Sequence, residues 1–286
     1  MTVAQALRSA TAKLRARLDK DVAPHEARLM VAHLLGTQPA GLAVRREERW
    51  SAENDDLLAQ MIDRRLQGEP LQYLLGEWSF LGLSMLVRRG VLIPRADTEV
   101  VAEKAISFLR KRRSRRVLDL CCGTGCIGIA LAVYAEAQVA AADISAACCA
   151  LAGENAARNG IHLDIRQGDL FEPVQSEERF DLMVCNPPYL SAADLTSLQA
   201  EVAFEPRLAL DGGVDGLDFY RRIAAGFEQH LVDDGALLVE IGSTQAAAVR
   251  ALLGDGEVLR DYAGLPRGLL VGKQGNREEE TPCSKN

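Results

Sequence analysis

Long hydrophobic runs are missing from this 286-residue sequence, although 48% of its residues are hydrophobic. A membrane-spanning helix needs about 20 consecutive apolar residues, and no segment of the sequence reaches that length. Near the N-terminus, basic residues interrupt any stretch that could serve as a signal-peptide core: Arg8, Lys13, Arg15 and Arg17. We therefore expect a cytoplasmic protein without a membrane partner.

Positive charge is also scarce, since 33 Lys and Arg face 40 Asp and Glu and the net charge is −7. Proteins that hold nucleic acid stably take most of their affinity from basic residues that contact phosphates. Here the basic residues are dispersed, apart from a short cluster within residues 110–116. That cluster is expected at the end of a helix, where cations are favourable. The composition argues against a stable nucleic-acid partner.

The sequence also lacks cysteines and histidines at the spacing that is typical of a metal site. The sequence has seven cysteines and four histidines. Cys121, Cys122 and Cys126 do not form paired C-x-x-C motifs, and no histidine lies near them. We expect buried, reduced thiols and no metal site.

The N-terminal part of the sequence, residues 1–76, has helical periodicity and is predicted to be a small helical bundle that docks the substrate. Pro24 suits the first turn of a helix that Gly36 ends, and Ser51 suits the cap of another helix that Gly68 stops. Residues 77–96 are turn-rich and β-like, and we predict a linker hairpin with arms at 79–86 and 87–93.

Beyond residue 96, helices and strands alternate up to residue 273, which predicts a parallel, doubly wound α/β sheet. The polar tail 274–286 is predicted to be disordered. The predicted helices cover about 97–112, 125–134, 145–158, 217–231 and 244–253. The predicted strands cover 116–121, 138–143, 161–165, 180–185, 236–241, 257–262 and 268–272, and the last two suit an antiparallel hairpin.

A glycine turn follows the first strand of this alternating region and is predicted to bind a cofactor. Glycines let the backbone approach a ligand, and the following helix offers free N–H groups. Asp143 stands 18 residues after Gly125, at the end of the next strand, where an acid can accept both hydroxyls of a ribose. The turn residues are Cys121, Cys122, Gly123, Thr124 and Gly125.

Three further residues extend this predicted adenosine site. Asp119 precedes the turn, at a position that suits the amino-acid part of S-adenosylmethionine. Asp169 and Leu170 follow a later strand, where Asp169 can accept from an adenine amino group and Leu170 can pack on the ring. Nucleotide dehydrogenases use a related turn, but the full G-x-G-x-x-G pattern is missing here.

The most informative motif ends the buried strand 180–185 and comprises Asn186, Pro187, Pro188 and Tyr189. Two prolines remove two backbone donors and leave carbonyl acceptors. The Asn186 side-chain carbonyl and the Pro187 backbone carbonyl can accept both hydrogens of an –NH2 group, while Tyr189 stacks on its plane. That arrangement positions a nitrogen for methyl transfer and needs no strong base. The residues alone leave open whether the planar nitrogen is a protein amide or an adenine amino group.

Together these motifs make the sequence resemble the bacterial release-factor glutamine methyltransferase family, known as PrmC or HemK. Four further blocks carry the resemblance over most of the chain: 68–76 (GEPLQYLLG), 92–99 (LIPRADTE), 204–210 (FEPRLAL) and 213–221 (GVDGLDFYR). They favour this family over adenine methyltransferases that share only the Asn-Pro-Pro-Tyr motif.

The resemblance implies a class I methyltransferase fold: a seven-stranded, mostly parallel sheet after a helical bundle and a β-hairpin linker. It implies S-adenosylmethionine as the cofactor, bound by residues 121–125, Asp143, Leu170 and Asn186. The implied substrate is the glutamine of the Gly-Gly-Gln motif in class 1 peptide chain release factors, held by residues 186–189. Glutamine methylation of a ribosomal protein, or adenine methylation of nucleic acid, remain alternatives.

The sequence departs from the family pattern at three positions. The family usually has glycine at Cys121, proline at Ala96 and often an aromatic residue at Leu170. We expect these changes to affect the efficiency of the enzyme more than its reaction.

Overall fold

The computed structural model describes residues 1–273, which form two compact units. The first unit consists of Met1–Glu77 with Leu198–Phe204, and the second contains Trp78–Ser197 and the chain from Glu205 onward. Residues 198–204 are predicted from the sequence to belong to the α/β domain, whereas the structure groups them with the bundle. The predicted disordered tail, 274–286, lies outside the described residues.

The first unit is a bundle of short helices around an apolar core of Ala, Leu, Val and Met side chains. Its helices are α1 (Val3–Leu14), α2 (Val22–Leu34), α3 (Ala52–Leu66) and α4 (Leu71–Leu75), with 3₁₀ turns at Pro39–Ala43 and Val202–Phe204. Ser51 caps α3 by accepting from the Asn54 N–H at 3.1 Å, and Gly36 follows α2 with φ 59°. The predicted cap and stop residues therefore act as the sequence indicates.

A buried arginine attaches residues 198–204 to this bundle. The Arg65 guanidinium is bonded to Glu26 at 2.7 Å and to Glu201 at 3.0 Å. Arg65 is buried, so these carboxylates compensate a charge that would otherwise be costly to desolvate.

The linker hairpin is shorter than predicted. Its strands are β1 (Glu77–Phe80) and β2 (Leu83–Leu86), joined by Leu81 and Gly82, which both have positive φ. Residues 87–93 form no strand, so the predicted second arm is wrong. The turn falls at the only glycine between the two short apolar segments, because glycine adopts positive φ without strain.

The second unit contains a seven-stranded sheet with helices on both faces, which confirms the predicted fold class. Its strands are β3 (Arg116–Leu120), β4 (Gln138–Asp143), β5 (Asp164–Gln167), β6 (Phe180–Cys185), β7 (Leu231–Glu240), β8 (Glu257–Arg260) and β9 (Pro266–Gly272). Its helices are α5 (Ala96–Leu109), α6 (Cys126–Ala135), α7 (Ala146–Arg158), α8 (Asp218–Ala224) and α9 (Ala246–Leu253).

The strand order is β5-β4-β3-β6-β7-β9-β8. The first five strands in this order are parallel, while β9 pairs antiparallel with both β7 and β8. One apolar cluster joins the sheet to α5, α6 and α7, and a second joins its other face to α8 and α9. No helix among residues 1–273 is long and apolar enough to span a membrane.

The predicted helix 217–231 ends early in the structure. Helix α8 stops at Ala224, and β7 begins at Leu231, opposite Phe180 of β6. Gly226 has a low helix propensity, and a Cβ at that position would lie 2.9 Å from the Phe171 ring. The chain therefore leaves the helix there and enters the sheet five residues earlier than the apolar run 236–241 indicates.

One buried amide connects the hairpin to the loop after β3. Asn155 of α7 accepts from the Leu86 N–H at 2.6 Å and donates to the Leu86 carbonyl at 3.1 Å and the Thr124 carbonyl at 3.0 Å. Its side chain is fully buried. The carboxamide therefore uses both donors and its acceptor to fix two separate segments on α7.

We predict that Asn155→Ala lowers the free energy of unfolding by about 2–4 kcal/mol, because it leaves buried backbone groups without partners. Urea unfolding measures the change. Glu154→Ala is the matched control on the same helix, since Glu154 forms only an exposed ion pair with Arg88. Equal effects of the two substitutions would contradict the assigned role of Asn155.

Candidate active site

The candidate site lies where the chain reverses its direction of growth across the sheet. Strands β3, β4 and β5 succeed one another outward, and β6 then returns to the other side of β3. In open α/β sheets, ligands bind outside the carboxyl ends of the strands at such a switch point. Residues 121–125 follow β3 and residues 186–189 follow β6, so both predicted motifs meet at this edge.

A cavity of about 320 Å³ opens at the same edge. Most of the predicted site residues line it: Cys121, Cys122, Gly123, Thr124, Asp143, Asp169, Leu170, Asn186 and Pro188. Four predicted residues are not part of its lining: Asp119, Gly125, Pro187 and Tyr189. The residues predicted from the sequence therefore meet, for the most part, at one cavity, and their individual roles stay predictions.

The two glycines of the turn, Gly123 and Gly125, are required for different structural reasons. Gly123 has φ 53°, and a Cβ there would meet no atom within 4 Å, so its backbone faces open space. Gly125 has φ 77°, and a Cβ there would lie 3.0 Å from the Cβ of Ala152. Gly125 thus permits close packing of the turn on α7, while Gly123 leaves the backbone accessible to a ligand.

Cys121 also adopts the left-handed conformation, with φ 56°. A residue with a Cβ is strained there by roughly 1 kcal/mol, whereas glycine adopts this conformation without strain. The side chain is half-buried, lines the cavity and packs against the core on the α8–α9 side of the sheet. It therefore occupies part of the space that a glycine would leave empty.

Asp143 is held by two backbone donors. Its Oδ2 accepts from the Gly123 N–H and its Oδ1 accepts from the Ser145 N–H, each at 2.9 Å. A carboxylate has about four acceptor positions, so further acceptors remain for ligand hydroxyls. The carboxylate is thus fixed at the end of β4 and faces the cavity half-buried.

Asp169 and Leu170 form the third side of the cavity. The Asp169 carboxylate accepts from Arg222 at 2.8 Å, and the Arg222 guanidinium lies 5.6 Å from the centre of the Phe219 ring. Leu170 is buried with φ 51°. Two further arginines are paired as well, Arg207 with Asp211 and Arg221 with Asp215.

Asp119 lies behind the turn, against α6. Its Oδ2 accepts from the Gly128 N–H at 2.9 Å, whereas its Oδ1 has no hydrogen-bond partner among the residues that the structure describes. Burial raises the pKa of this carboxyl to about 7. The contact of Asp119 with the cofactor stays a prediction, and the structure gives this residue a role in fixing α6.

The cysteines of this region are free and mostly buried. Burial raises the pKa of the Cys126 thiol to about 12 and that of Cys122 above its ordinary range. Such thiols stay protonated at neutral pH and behave as small apolar groups. Among residues 1–273, no group of three or more His, Cys, Asp or Glu side chains is arranged to hold a metal ion.

The Asn-Pro-Pro-Tyr motif follows β6 directly. The Asn186 Nδ2 donates to the Thr98 hydroxyl at 3.4 Å, and its Oδ1 has no donor among the described side chains and backbone. The Tyr189 hydroxyl lies 3.5 Å from Oε1 of Glu240, and its carbonyl accepts from Gln245 at 2.9 Å. Stacking of Tyr189 on a substrate stays a prediction, because its contacts here are with the protein.

Sequence reasoning missed the segment that closes the cavity. Glu205 is buried, accepts from the Ile93 N–H at 3.0 Å and pairs with Arg95. These bonds hold residues 92–98 beside Pro206 and Leu208, and both segments line the cavity. The only signal in the sequence is an acid between Phe204 and Pro206, within the block 204–210.

Comparison with known proteins agrees with this geometry. Residues 5–76 match the family model described as PrmC N-terminal domain, and residues 99–205 match the methyltransferase small domain. A release factor glutamine methyltransferase from Moorella thermoacetica is 41% identical, with 95% of this chain and 98% of the relative covered. One from Geobacter sulfurreducens is 44% identical, with 78% of each chain covered. The chain belongs to the release factor glutamine methyltransferase family.

Solved structures support the fold of this family member. A methyltransferase from Pyrococcus furiosus has a TM-score of 0.54 at 16% identity and covers 68% of this chain and 91% of its own. The hMettl16 catalytic domain has a TM-score of 0.54 at 15% identity and covers 77% of this chain and 83% of its own. At these identities the likeness concerns the fold alone. The family and the fold predicted from the sequence are thereby confirmed.

We predict that Asp119 makes the protein less stable as pH rises. Its folded pKa, about 7, lies above the ordinary 3.8, so the folded state binds the proton more tightly. The free energy of unfolding therefore falls between about pH 4 and pH 7, with a slope of up to about 1.4 kcal/mol per pH unit.

Asp119→Asn removes this contribution while it keeps a side-chain oxygen for the Gly128 N–H. Urea unfolding of both proteins between pH 4.5 and pH 8 measures the slopes. The same pH dependence in the variant and the unmodified protein would rule out Asp119 as its source.

Proposed function

We propose that this protein transfers a methyl group from S-adenosylmethionine to the side-chain amide nitrogen of the glutamine in the Gly-Gly-Gln motif of class 1 peptide chain release factors. The names of its relatives support this substrate. In the chain itself, the main support is Asn186, whose side chain lines the cavity with its amide oxygen unused by residues 1–273. Because translation ends in the cytoplasm, the same proposal assigns the protein to that compartment.

The cavity fits the cofactor in size and in chemistry. Its volume of about 320 Å³ falls at the lower end of the range of small-molecule sites. Asp143 offers acceptors for the ribose hydroxyls, and Leu170 offers an apolar surface for the adenine. The open backbone at Gly123 suits the close approach of the amino-acid part. S-adenosylmethionine would supply a methyl group made electrophilic by the positive charge on its sulfur.

Residues after β6 would hold the substrate nitrogen. The lone pair of an amide nitrogen is delocalised, so the nitrogen is a poor nucleophile. The Asn186 Oδ1 and the Pro187 carbonyl can accept its two hydrogens, which orients the nitrogen and raises its electron density as positive charge develops. No hydrogen bond within the described residues uses the Pro187 carbonyl. The nitrogen proton becomes strongly acidic once the new bond forms, so water suffices to remove it.

The decisive experiment incubates the protein with labelled S-adenosylmethionine and a purified class 1 release factor, followed by peptide mass mapping. We expect one added methyl group on the glutamine of the Gly-Gly-Gln peptide. A release factor with that glutamine replaced by alanine is the control and should stay unlabelled. Parallel incubations contain ribosomes or DNA in place of the release factor; label there, with none in the release factor, would replace the proposed substrate.

We predict that Asn186→Ala lowers turnover by roughly 10²-fold, because it removes an acceptor that acts on the reacting nitrogen. Single-turnover kinetics at saturating cofactor measures the loss. Near-normal turnover would contradict the acceptor role.

Asp143→Ala should act on binding instead. We expect the dissociation constant of S-adenosylmethionine to rise about ten-fold, since two ribose contacts and two backbone contacts are lost. Calorimetric titration of both variants separates the roles: Asn186→Ala should change the cofactor affinity less than Asp143→Ala does.

A further inference from the structure

The turn between β8 and β9, residues 261–265, lies at the same edge of the sheet as Asn186. Strand β7 runs parallel to β6, and its last residue, Glu240, is the register partner of Gly268 near the start of the antiparallel β9. The residues that lead into β9 therefore lie beyond the carboxyl ends of the parallel strands. The turn adjoins the candidate active site, although none of its residues lines the cavity.

Ion pairs connect this turn to the neighbourhood of Asn186. The Arg267 guanidinium bonds the Asp261 carboxylate of the turn at 2.8 Å and the Asp97 carboxylate in the first turn of α5 at 3.1 Å. The next residue of α5, Thr98, accepts from Asn186 Nδ2 at 3.4 Å. The turn is therefore joined by direct contacts to the residue that would accept from the substrate nitrogen.

The turn is held by its own hydrogen bonds, yet it exposes a large aromatic side chain. The Asp261 Oδ1 accepts from the N–H groups of Ala263 and Leu265, and the Asp261 N–H donates to the Leu265 carbonyl, each at 2.9 Å. Within this turn, Tyr262 is 90% exposed and Leu265 is 46% exposed. Because tyrosine has few side-chain torsions and the turn is already ordered, contact with a partner costs little conformational entropy here.

A second loop with an exposed apolar side chain, residues 211–217, contacts the Asn-Pro-Pro-Tyr motif directly. The Gln245 amide donates to the Tyr189 carbonyl at 2.9 Å and to the Gly216 carbonyl at 3.2 Å. A Cβ at Gly216 would lie 2.4 Å from the Tyr189 carbonyl oxygen, so the two backbones touch. Val214 of this loop is 86% exposed. Exposed apolar side chains thus stand on two loops that are both bonded to the motif or to its neighbours.

A glutamine that belongs to a protein can reach Asn186 only if that protein rests on the surface around the cavity. A glutamine side chain spans roughly 5 Å from its Cα to its amide nitrogen, given bonds of about 1.5 Å. The backbone and the neighbouring residues of the substrate therefore stay outside the cavity, against the loops at its edge. Protein interfaces take most of their binding energy from a few large side chains, among which tyrosine is enriched.

We propose that Val214, Tyr262 and Leu265 form a docking surface for the protein that carries the substrate glutamine, and that they contact apolar residues beside its Gly-Gly-Gln loop. This inference rests on the proposed function. None of the three side chains lines the cavity, so they act on the affinity for the protein substrate. Contacts that are equally strong in the ground state and the transition state change KM and leave kcat unaltered.

The test measures kcat and KM of Tyr262→Ala with a purified class 1 release factor that the unmodified protein methylates. We expect KM to rise roughly ten-fold while kcat stays within two-fold, because truncation of an aromatic interface residue typically costs that much affinity. Tyr262→Phe keeps the ring, and its KM should stay within three-fold of normal. The melting temperature and the dissociation constant of S-adenosylmethionine should not change, since Tyr262 is exposed and outside the cavity.

A second variant and a matched control complete the test. Val214→Ala, on the other loop, should raise KM roughly three-fold, and its effect should multiply with that of Tyr262→Ala. Arg113→Ala is the control, because Arg113 is also an exposed, long side chain but precedes β3, at the opposite edge of the sheet. Its KM should stay within two-fold of normal.

Three results would overturn the docking surface: a KM of Tyr262→Ala within two-fold of normal, an equal rise in KM for Arg113→Ala, or a loss of kcat at unchanged KM. Size-exclusion chromatography provides a further check. A dimer of the unmodified protein that Tyr262→Ala dissociates would assign the surface to a second copy of the chain and refute the proposal. Failure of the unmodified protein to methylate any release factor is a separate result, which refutes the proposed function before a variant is compared.

Discussion

The parallel pairing of β3 with β6 is the constraint on which the rest of the site depends. Leu120 and Cys185 are register partners at the ends of these strands, so whatever follows them must emerge side by side. The chain can make this pairing only by returning across the sheet after β5. Two segments more than sixty positions apart in the sequence therefore share one edge, without any direct bond between their side chains being needed to bring them together.

Hydrogen bonds between side chains and backbone groups then hold the loops that the sheet brings together. Asp143 bonds Gly123, Asn155 bonds Thr124, and Glu205 bonds Ile93. In each case a side chain from one loop or helix satisfies a main-chain group of another. Such bonds fix a loop at a point without filling the space beside it, so a cavity remains between the loops. The site is thus preorganised by polar contacts on top of an apolar sheet.

Much of this architecture follows from the sequence. Strands β4 and β6 and helix α7 have strong periodicity, and they lie within a residue of their predicted positions. The secondary-structure predictions are wrong where the hydrophobic pattern of a segment and its packing in the folded protein disagree. The predicted second hairpin arm contains apolar residues such as Val91 and Ile93. These residues are buried in the unit, but they belong to no strand. Strand β7 begins with Leu231 and Val232, but Asp233, Asp234 and Gly235 separate them from the apolar run 236–241, so the pairing of Leu231 with Phe180 has no periodic signal.

In the candidate site, too, some residues could be predicted from the sequence and others could not. Glycines, Asp143 and Asn186 stand in motifs and could be predicted. Asn155 could not, since it bonds backbone groups of Leu86 and Thr124 that lie far away in the sequence. Asp119 also stands in a motif; its Oδ2 accepts from the Gly128 N–H of α6, and its contact with the cofactor stays a prediction.

Cys121 gives the cavity a chemical identity of its own. A thiol stands in its wall, beside the strand end that leads to Asn186. An electrophilic inhibitor shaped for this cavity would find a sulfur atom within reach, and covalent capture would then add to the strength of reversible binding.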